Sequence, residues 1–384
     1  MSAFSFEIKH KSTKSKARRG ALTTPHGVIQ TPAFVTVGTK SSVKSLTPED
    51  LDNIGTQFCF VNTYHTVLSP GTEIMEKVGG VHNFSKIKQP IITDSGGFQV
   101  FSLARNKFAK DKESPHLVKI TEDGVKFKSH IDGTEFYFTP EFSIQAQKKI
   151  GADFIVAFDE CTYLEATEKY TRNAMNRTHE WANRSLRAFG TSETQQMYGV
   201  IQGGTFENLR KESAKYIASL PFQNLAIGGV SVGETKKQMR EQISWVMDEI
   251  WEDPRPRHLL GIGDFDDIFD SVEQGLDTLD CVSPTRHARV GRLYVRNNNI
   301  FSGIDIFDSK YRADLTPIYD HCDCYTCKNF TKAYLFHLFK QKELLYYRLA
   351  TIHNLTFMET MMRDIRKSIE EDRFEEFKNS CILP

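Results

Sequence analysis

Long apolar runs are missing from this sequence: none approaches the roughly 20 residues that cross a bilayer. The start, Met1 to Lys16, is basic and lacks the apolar stretch of a secretory signal. The expectation is a cytoplasmic protein with no membrane partner. An excess of charge of one sign is missing too, with 49 Lys plus Arg against 49 Asp plus Glu. The chain as a whole is no polycation, although a local basic patch remains compatible with a phosphate backbone. There is no Pro/Gly/Ser linker, no low-complexity tract and no short-period repeat. Seven Cys, an odd number in 384 residues, do not make a disulfide framework. What is present, 39% apolar and 11% aromatic residues, supplies a sizeable core.

One form recurs eight times: a short apolar, often β-branched run that ends in a polar or glycine-rich corner. The runs are 33–37, 58–61, 90–92, 154–158, 198–201, 225–227, 258–260 and 278–279. Helical spacing fills most of the intervals, for example 140–149, 167–187, 207–220 and 236–251. Eight buried strands with helical crossovers fit a (β/α)8 barrel, whose strand ends share one mouth. A doubly wound open sheet is the competing topology, and the barrel is favoured. Residues 1–290 are then the barrel with an N-terminal segment, and 291–384 a zinc-binding subdomain with C-terminal helices packed on it. Six Lys or Arg lie between Lys9 and Arg19, and this arm reads as a solvated loop.

Cys322, Cys324 and Cys327 offer three soft ligands within six residues, and His353 can return from a helix to complete a tetrahedron. His321 and His337 compete for the fourth place. Four protein ligands leave no open position, so a structural Zn2+ is expected. Asp280 ends the last run, where a carboxylate can attack an electrophilic carbon such as an anomeric centre. Asp94 can be its proton-transfer partner; a pair about 5 Å apart gives double displacement, and a wider gap admits water. Either aspartate alone reads equally well as a helix N-cap. Asp159, Gln202 and Gly229 suit a purine, with Phe98 to stack on it. His65 reads as a hydrogen-bonded structural histidine. Arg286 and Arg289 are placed to grip a phosphate backbone, or else to pair with Asp264, Asp266 or Asp267.

Taken together, Thr93-Asp94-Ser95-Gly96-Gly97-Phe98-Gln99, Ala157-Phe158-Asp159-Glu160-Cys161, Gly228 to Glu234, Asp280 with Pro284-Thr285-Arg286, and the Cys cluster with His353 carry a resemblance. From about Phe6 to Phe377 the chain closely resembles the tRNA-guanine transglycosylases, specifically the bacterial type. The resemblance implies a (β/α)8 barrel with an inserted zinc subdomain, one structural Zn2+ per subunit, and a homodimer. It implies exchange of guanine at wobble position 34 of tRNAs with a GUN anticodon, those for Asp, Asn, His and Tyr. Asp280 matches the nucleophile that forms a covalent ester with the ribose C1′, and Asp94 the general acid/base. Asp159, Gln202 and Gly229 match the base-reading set, and Phe98 replaces a tyrosine common among relatives. Cys161 and Val232 are the bacterial pair, which favours 7-aminomethyl-7-deazaguanine over the bulkier queuine. Val230, Ser231 and Glu234 match the loop that receives the aminomethyl cation, and Leu260 replaces a methionine under the base. The chain lacks the long C-terminal extension of archaeal members. Queuine insertion, a non-catalytic RNA-binding subunit and a nucleoside hydrolase are the competing functions.

Overall fold

In the computed structural model, residues 3–98, 118–129 and 133–382 are described. Each of the eight apolar runs forms a parallel strand: β1 (Ala33–Val37), β2 (Cys59–Val61), β3 (Ile91–Thr93), β4 (Phe154–Val156), β5 (Gln196–Ile201), β6 (Asn224–Ile227), β7 (Arg257–Leu259) and β8 (Thr278–Cys281). β8 pairs with β1, and the barrel closes. The open-sheet alternative is thereby removed. The runs are continuously apolar because both strand faces are buried. Ala33, Val35 and Val37 of β1 join Val156, Val200 and Ala226 in the barrel lumen, whereas Phe34 packs outward with the helical residues.

Threonine starts four of the crossover helices. Thr47, Thr139, Thr167 and Thr235 each accept a backbone N–H from the first turn of the helices Pro48–Ile54, Pro140–Ile150, Glu168–Phe189 and Lys236–Ile250. The segment 207–219 is helical as expected. The β3–β4 seam is short, with a single paired position. Gln147 bridges it: its Oε1 accepts from Val156 N at 2.8 Å and from the Thr93 hydroxyl at 2.9 Å, and its Nε2 donates to Val156 O at 2.9 Å. That side chain holds together the two strands that carry Asp94 and Asp159.

The basic arm is not a solvated loop. Ser5–Lys11, Arg18–Thr24 and Gly27–Thr31 form an antiparallel sheet. Its Phe4, Leu22 and Ile29 plug the amino end of the lumen. Arg18 is 2% exposed and donates through Nε and Nη2 to Asp277, which precedes β8, at 2.9 and 2.5 Å. The unpaired Asp277 carboxylate would be costly at that depth, and the arm supplies its partner. A second sheet, Val118–Ile120, Val125–Lys128 and Glu135–Phe138, lies between β3 and β4 in sequence.

Beyond the barrel come the hairpin Arg292–Asn297 and Ile300–Asp305, then helices Tyr325–Asn329, Lys332–Gln341, Leu344–Glu370 and Phe374–Cys381. The long helix lays Ile352, Leu355, Met358, Met362 and Ile365 into the same core as Phe34 and Cys59. Arg348 pairs with Asp50 at 2.7 Å and ties it to the first crossover helix. Among the described residues no helix is long and apolar enough to cross a membrane.

Candidate active site

At the carboxyl ends of the strands lies a cavity of about 390 Å³. Each strand end contributes to it: Val37 and Thr39 at the end of β1, Asn62 after β2, Asp94 and Ser95 after β3, Asp159 and Cys161 after β4, Gln202 after β5, Gly228 to Val232 after β6, Leu260 and Gly261 after β7, and Asp280 in β8. Phe98, His65 and Arg286 line it as well. A larger cleft of about 890 Å³, beside the long C-terminal helix, holds none of these residues.

The two proposed chemical carboxylates are held differently. Asp280 Oδ1 accepts from Gly261 N at 3.1 Å and lies 3.2 Å from Nε2 of the buried His258. Asp94 receives Asn62 Nδ2 at 2.5 Å on one oxygen and Thr63 N at 2.7 Å on the other. Thr63 opens the helix Thr63–Leu68, so Asp94 does sit at a helix start while facing the cavity. A place at a helix start and a place on the cavity wall therefore coexist.

The flat-ligand set is built around Asp159. Ser95 Oγ donates to its Oδ1 at 2.9 Å and Gln202 Nε2 to its Oδ2 at 2.7 Å. Part of its surface reaches the cavity, yet desolvation by the surrounding protein pushes its pKa up. Gln202 Oε1 is buried without a donor, an acceptor left for a ligand N–H. A Cβ on Gly229 would stand 2.3 Å from that oxygen, and its φ of 64° is left-handed, so glycine is required here. Burial pushes the Cys161 thiol up to about 12, so it lines the pocket as a neutral group. Glu160 faces away, bonded to Arg177 at 2.7 Å and Tyr170 at 2.8 Å.

Glu234 organises the loop after β6. Its carboxylate accepts Ser231 N at 2.5 Å, Val232 N at 2.8 Å and Gly233 N at 3.1 Å. A trans peptide directs its carbonyl opposite to its N–H, so the Val230 carbonyl points away from Glu234. Ser231 is held at φ 59°, an uncommon conformation for a residue with a Cβ. Beneath the loop, Arg210 is fully buried and spends all five N–H groups. It donates to the carbonyls of Gly204 (2.7 Å), Ile201 (3.4 Å), Gly228 (2.6 Å) and Gly229 (2.6 Å) and to Gln242 Oε1 (3.0 Å).

Arg286 is exposed at the cavity, whereas Arg289 turns back to the Thr285 carbonyl at 2.8 Å. Neither pairs with Asp264, Asp266 or Asp267, which are taken by Lys236 and Arg240. His65 faces the cavity. Of the motif around Asp94, Gln99 lies outside the described residues. Sequence reasoning missed Asn62, Thr63, Ser95, His258 and Arg210. The signal for His258 was a polar residue inside an apolar strand, and for Arg210 a cation on the apolar face of a helix.

Away from this mouth, Cys322, Cys324, Cys327 and His353 form a four-donor group that can hold a metal ion. The three sulfurs lie 3.7, 3.6 and 3.3 Å from His353 Nδ1. Tetrahedral zinc with ordinary bond lengths gives S···N near 3.6 Å. His353 Nε2 donates to the Tyr294 carbonyl at 2.6 Å, which leaves the Nδ1 lone pair facing the sulfurs. His321 lies against Tyr319 and His337 is exposed on its helix, so neither is the fourth donor.

Fold and cavity define a barrel enzyme that presents carboxylates from several strand ends to one ligand, with a separate three-cysteine, one-histidine metal motif. The family described as queuine tRNA-ribosyltransferase matches residues 12–383. The chain belongs to that family, and it is an enzyme of the pentosyltransferase class. It is 45% identical over 382 residues to the queuine tRNA-ribosyltransferase of Caldanaerobacter subterraneus subsp. tengcongensis, covering 100% of this chain and 98% of that one. The protein of the same name from Thermoanaerobacter pseudethanolicus is 45% identical over 378 residues (98% and 96%). That from Francisella tularensis subsp. tularensis is 45% identical over 382 (100% and 99%).

Proposed function

We propose that the enzyme exchanges guanine at wobble position 34 of GUN-anticodon tRNAs for 7-aminomethyl-7-deazaguanine, by double displacement through an ester on Asp280. The observation that carries this reading is the convergence of Asp280, Asp94 and the Asp159–Gln202–Gly229 set on one cavity. In the first displacement an Asp280 oxygen forms a bond to ribose C1′ and the C1′–N9 bond breaks, its electron pair leaving with guanine. Asp94 supplies the proton that guanine takes. In the second, the incoming base loses its N9 proton to Asp94, its nitrogen attacks C1′, and the ester electrons return to Asp280. Asp159 and Gln202 read the base edge while Phe98, 54% exposed at the rim, covers its face.

The loop supports an amine-bearing base. With Glu234 occupied by three N–H groups, the Val230 carbonyl is free to accept from an ammonium. Cys161, Val232 and Leu260 limit the volume available to a larger substituent. Arg286 and Arg289 would grip the tRNA backbone. The metal held by Cys322, Cys324, Cys327 and His353 would be one structural Zn2+ per subunit, supplying cohesion between the tail and the long helix. Residues 1–290 would form the catalytic barrel and 291–384 the zinc-binding part of a cytoplasmic homodimer. The test is incorporation of 7-aminomethyl-7-deazaguanine against queuine into a GUN-anticodon tRNA, read by displacement of labelled guanine. Preference for queuine would overturn the specificity while leaving the chemistry. Asp280→Asn is expected to abolish both exchange and the tRNA adduct with tRNA affinity kept within a few fold, and a persisting adduct would remove Asp280 from the role.

A further inference from the structure

Polar side chains rarely stand inside a barrel lumen, because burial without a partner costs about 1–3 kcal/mol in proteins. His258, on β7, is such a residue, with no exposed surface. Its neighbour Leu259 packs outward, so the imidazole faces inward, with Phe60 at 6.5 Å and Tyr198 at 5.8 Å between ring centroids. Its two nitrogens are both engaged. Nδ1 lies 2.9 Å from Thr278 Oγ1, and Nε2 lies 3.2 Å from Asp280 Oδ1. An ionised carboxylate only accepts, so Nε2 carries the proton that meets Asp280, while Thr278 Oγ1 engages Nδ1 on the other side of the ring. β7 and β8 pair His258 directly with Thr278, which fixes the ring before it meets Asp280.

The second donor to Asp280, Gly261 N, reaches the same oxygen at 3.1 Å. Among the described residues no group donates to Oδ2. We propose that His258 is a positioning residue for Asp280: with Gly261 it ties down Oδ1, leaves Oδ2 as the attacking oxygen, and stabilises the carboxylate when it departs. This rests on the reading of Asp280 as nucleophile. In the first displacement an Oδ2 lone pair makes the bond to C1′, and Oδ1 becomes the ester carbonyl, still facing both donors. In the second, the C1′–Oδ2 bond breaks with its electrons returning to the carboxylate, and negative charge reappears on Oδ1, where a fixed N–H meets it. His258 keeps its proton throughout. A donor aimed at a departing anion helps the second step more than the first.

The experiment compares His258→Phe, which fills the space without a donor, with His258→Gln, whose amide nitrogen takes the position of Nε2. Readouts are exchange kinetics, the fraction of enzyme trapped as tRNA adduct on a denaturing gel, and the thermal midpoint. His258→Phe is expected to lower kcat roughly tenfold to hundredfold, with KM for tRNA within about threefold, and to raise the adduct fraction. His258→Gln is expected to recover most of the loss. Exchange by His258→Phe within twofold of the parent, or equal deficits in both variants with no change in adduct fraction, would overturn the proposal. Should His258→Phe not fold, His258→Met against His258→Gln carries the same comparison. An adduct surviving in Asp280→Asn is a separate result, which removes the nucleophile and not the His258 contact.

Discussion

Replacing Arg210 by lysine tests whether the loop after β6 is held from below. The guanidinium reaches Gly204 on one side and Gly228, Gly229 and Gln242 on the other. An ammonium has three donors radiating from one atom and cannot span that set. Two or more buried acceptors lose their donor, at about 1–3 kcal/mol each, so a destabilisation of roughly 2–6 kcal/mol is expected for two. Unfolding entropy near 2.1 cal/mol/K per residue over 384 residues makes that a fall in midpoint of roughly 2–7 °C. Charge adds a second signature. Burial lowers the Arg210 pKa to about 10, so it stays protonated at neutral pH. The same desolvation would push the pKa of a lysine down. Circular-dichroism melts and exchange kinetics with the base varied give both quantities. KM for the base is expected to rise about tenfold, and further as pH climbs and a lysine gives up its charge, with KM for tRNA unchanged. A variant that melts within a degree of the parent and keeps its base KM would refute the reasoning.

Cys327→Ser is expected to lower bound metal from one ion per chain and to cut the thermal midpoint by several degrees, because metal binding free energy is folding free energy; unaltered metal content would remove Cys327 from the ligand set. Val232→Gly is expected to shift the ratio of queuine to 7-aminomethyl-7-deazaguanine incorporation by roughly tenfold or more towards queuine, and an unchanged ratio would take Val232 out of specificity. At the amino end of the barrel, His26 and His82 stack at 3.5 Å and both meet the buried Asp153, at 2.7 and 3.2 Å. The hydrogen bond to Asp153 raises His26 above 6.5, and the histidine bonds lower Asp153 below 3.8 despite burial. The histidine contribution is complete below pH 6.5 and fades as pH climbs through the raised value; that of Asp153 is complete above 3.8 and fades as pH falls through the lowered one. Melts of His26→Asn against the parent are expected to differ most between about pH 4 and 6.5, and a constant difference up to pH 9 would count against this linkage.

The barrel was legible because its strands are buried on both faces and therefore read as unbroken apolar runs with a polar corner. The metal motif was legible because three of its donors crowd into six residues. The N-terminal sheet was hidden by its charges. In Ser5–Lys11 the half-buried positions are Phe6, Ile8 and His10, and the alternating Lys residues face solvent, so a count of basic residues outweighed a period of two. The supports of the site were hidden for another reason. Arg210, Asn62 and His258 act on groups 18 or more residues away in sequence, and spacing carries no record of such contacts.

Asp277 and Asp280 lie three residues apart and are treated in opposite ways. Asp277, with no exposed surface, is locked to Arg18 by two guanidinium bonds and also takes Arg257 N at 2.8 Å. A cation so placed makes a carboxylate structural, because any reaction at its oxygen would strand the arginine. Asp280, at the other end of the same strand, receives only a backbone N–H and an imidazole, both on one oxygen. Among the described residues no lysine or arginine pairs with Asp280, and on the proposed function its charge is what an oxocarbenium-like transition state requires. Asp159 follows the same rule, held by Ser95 and Gln202. The barrel thus ties its amino-end aspartate to an arginine for cohesion, and on the proposed function it keeps arginine and lysine off the carboxylates at its carboxyl end.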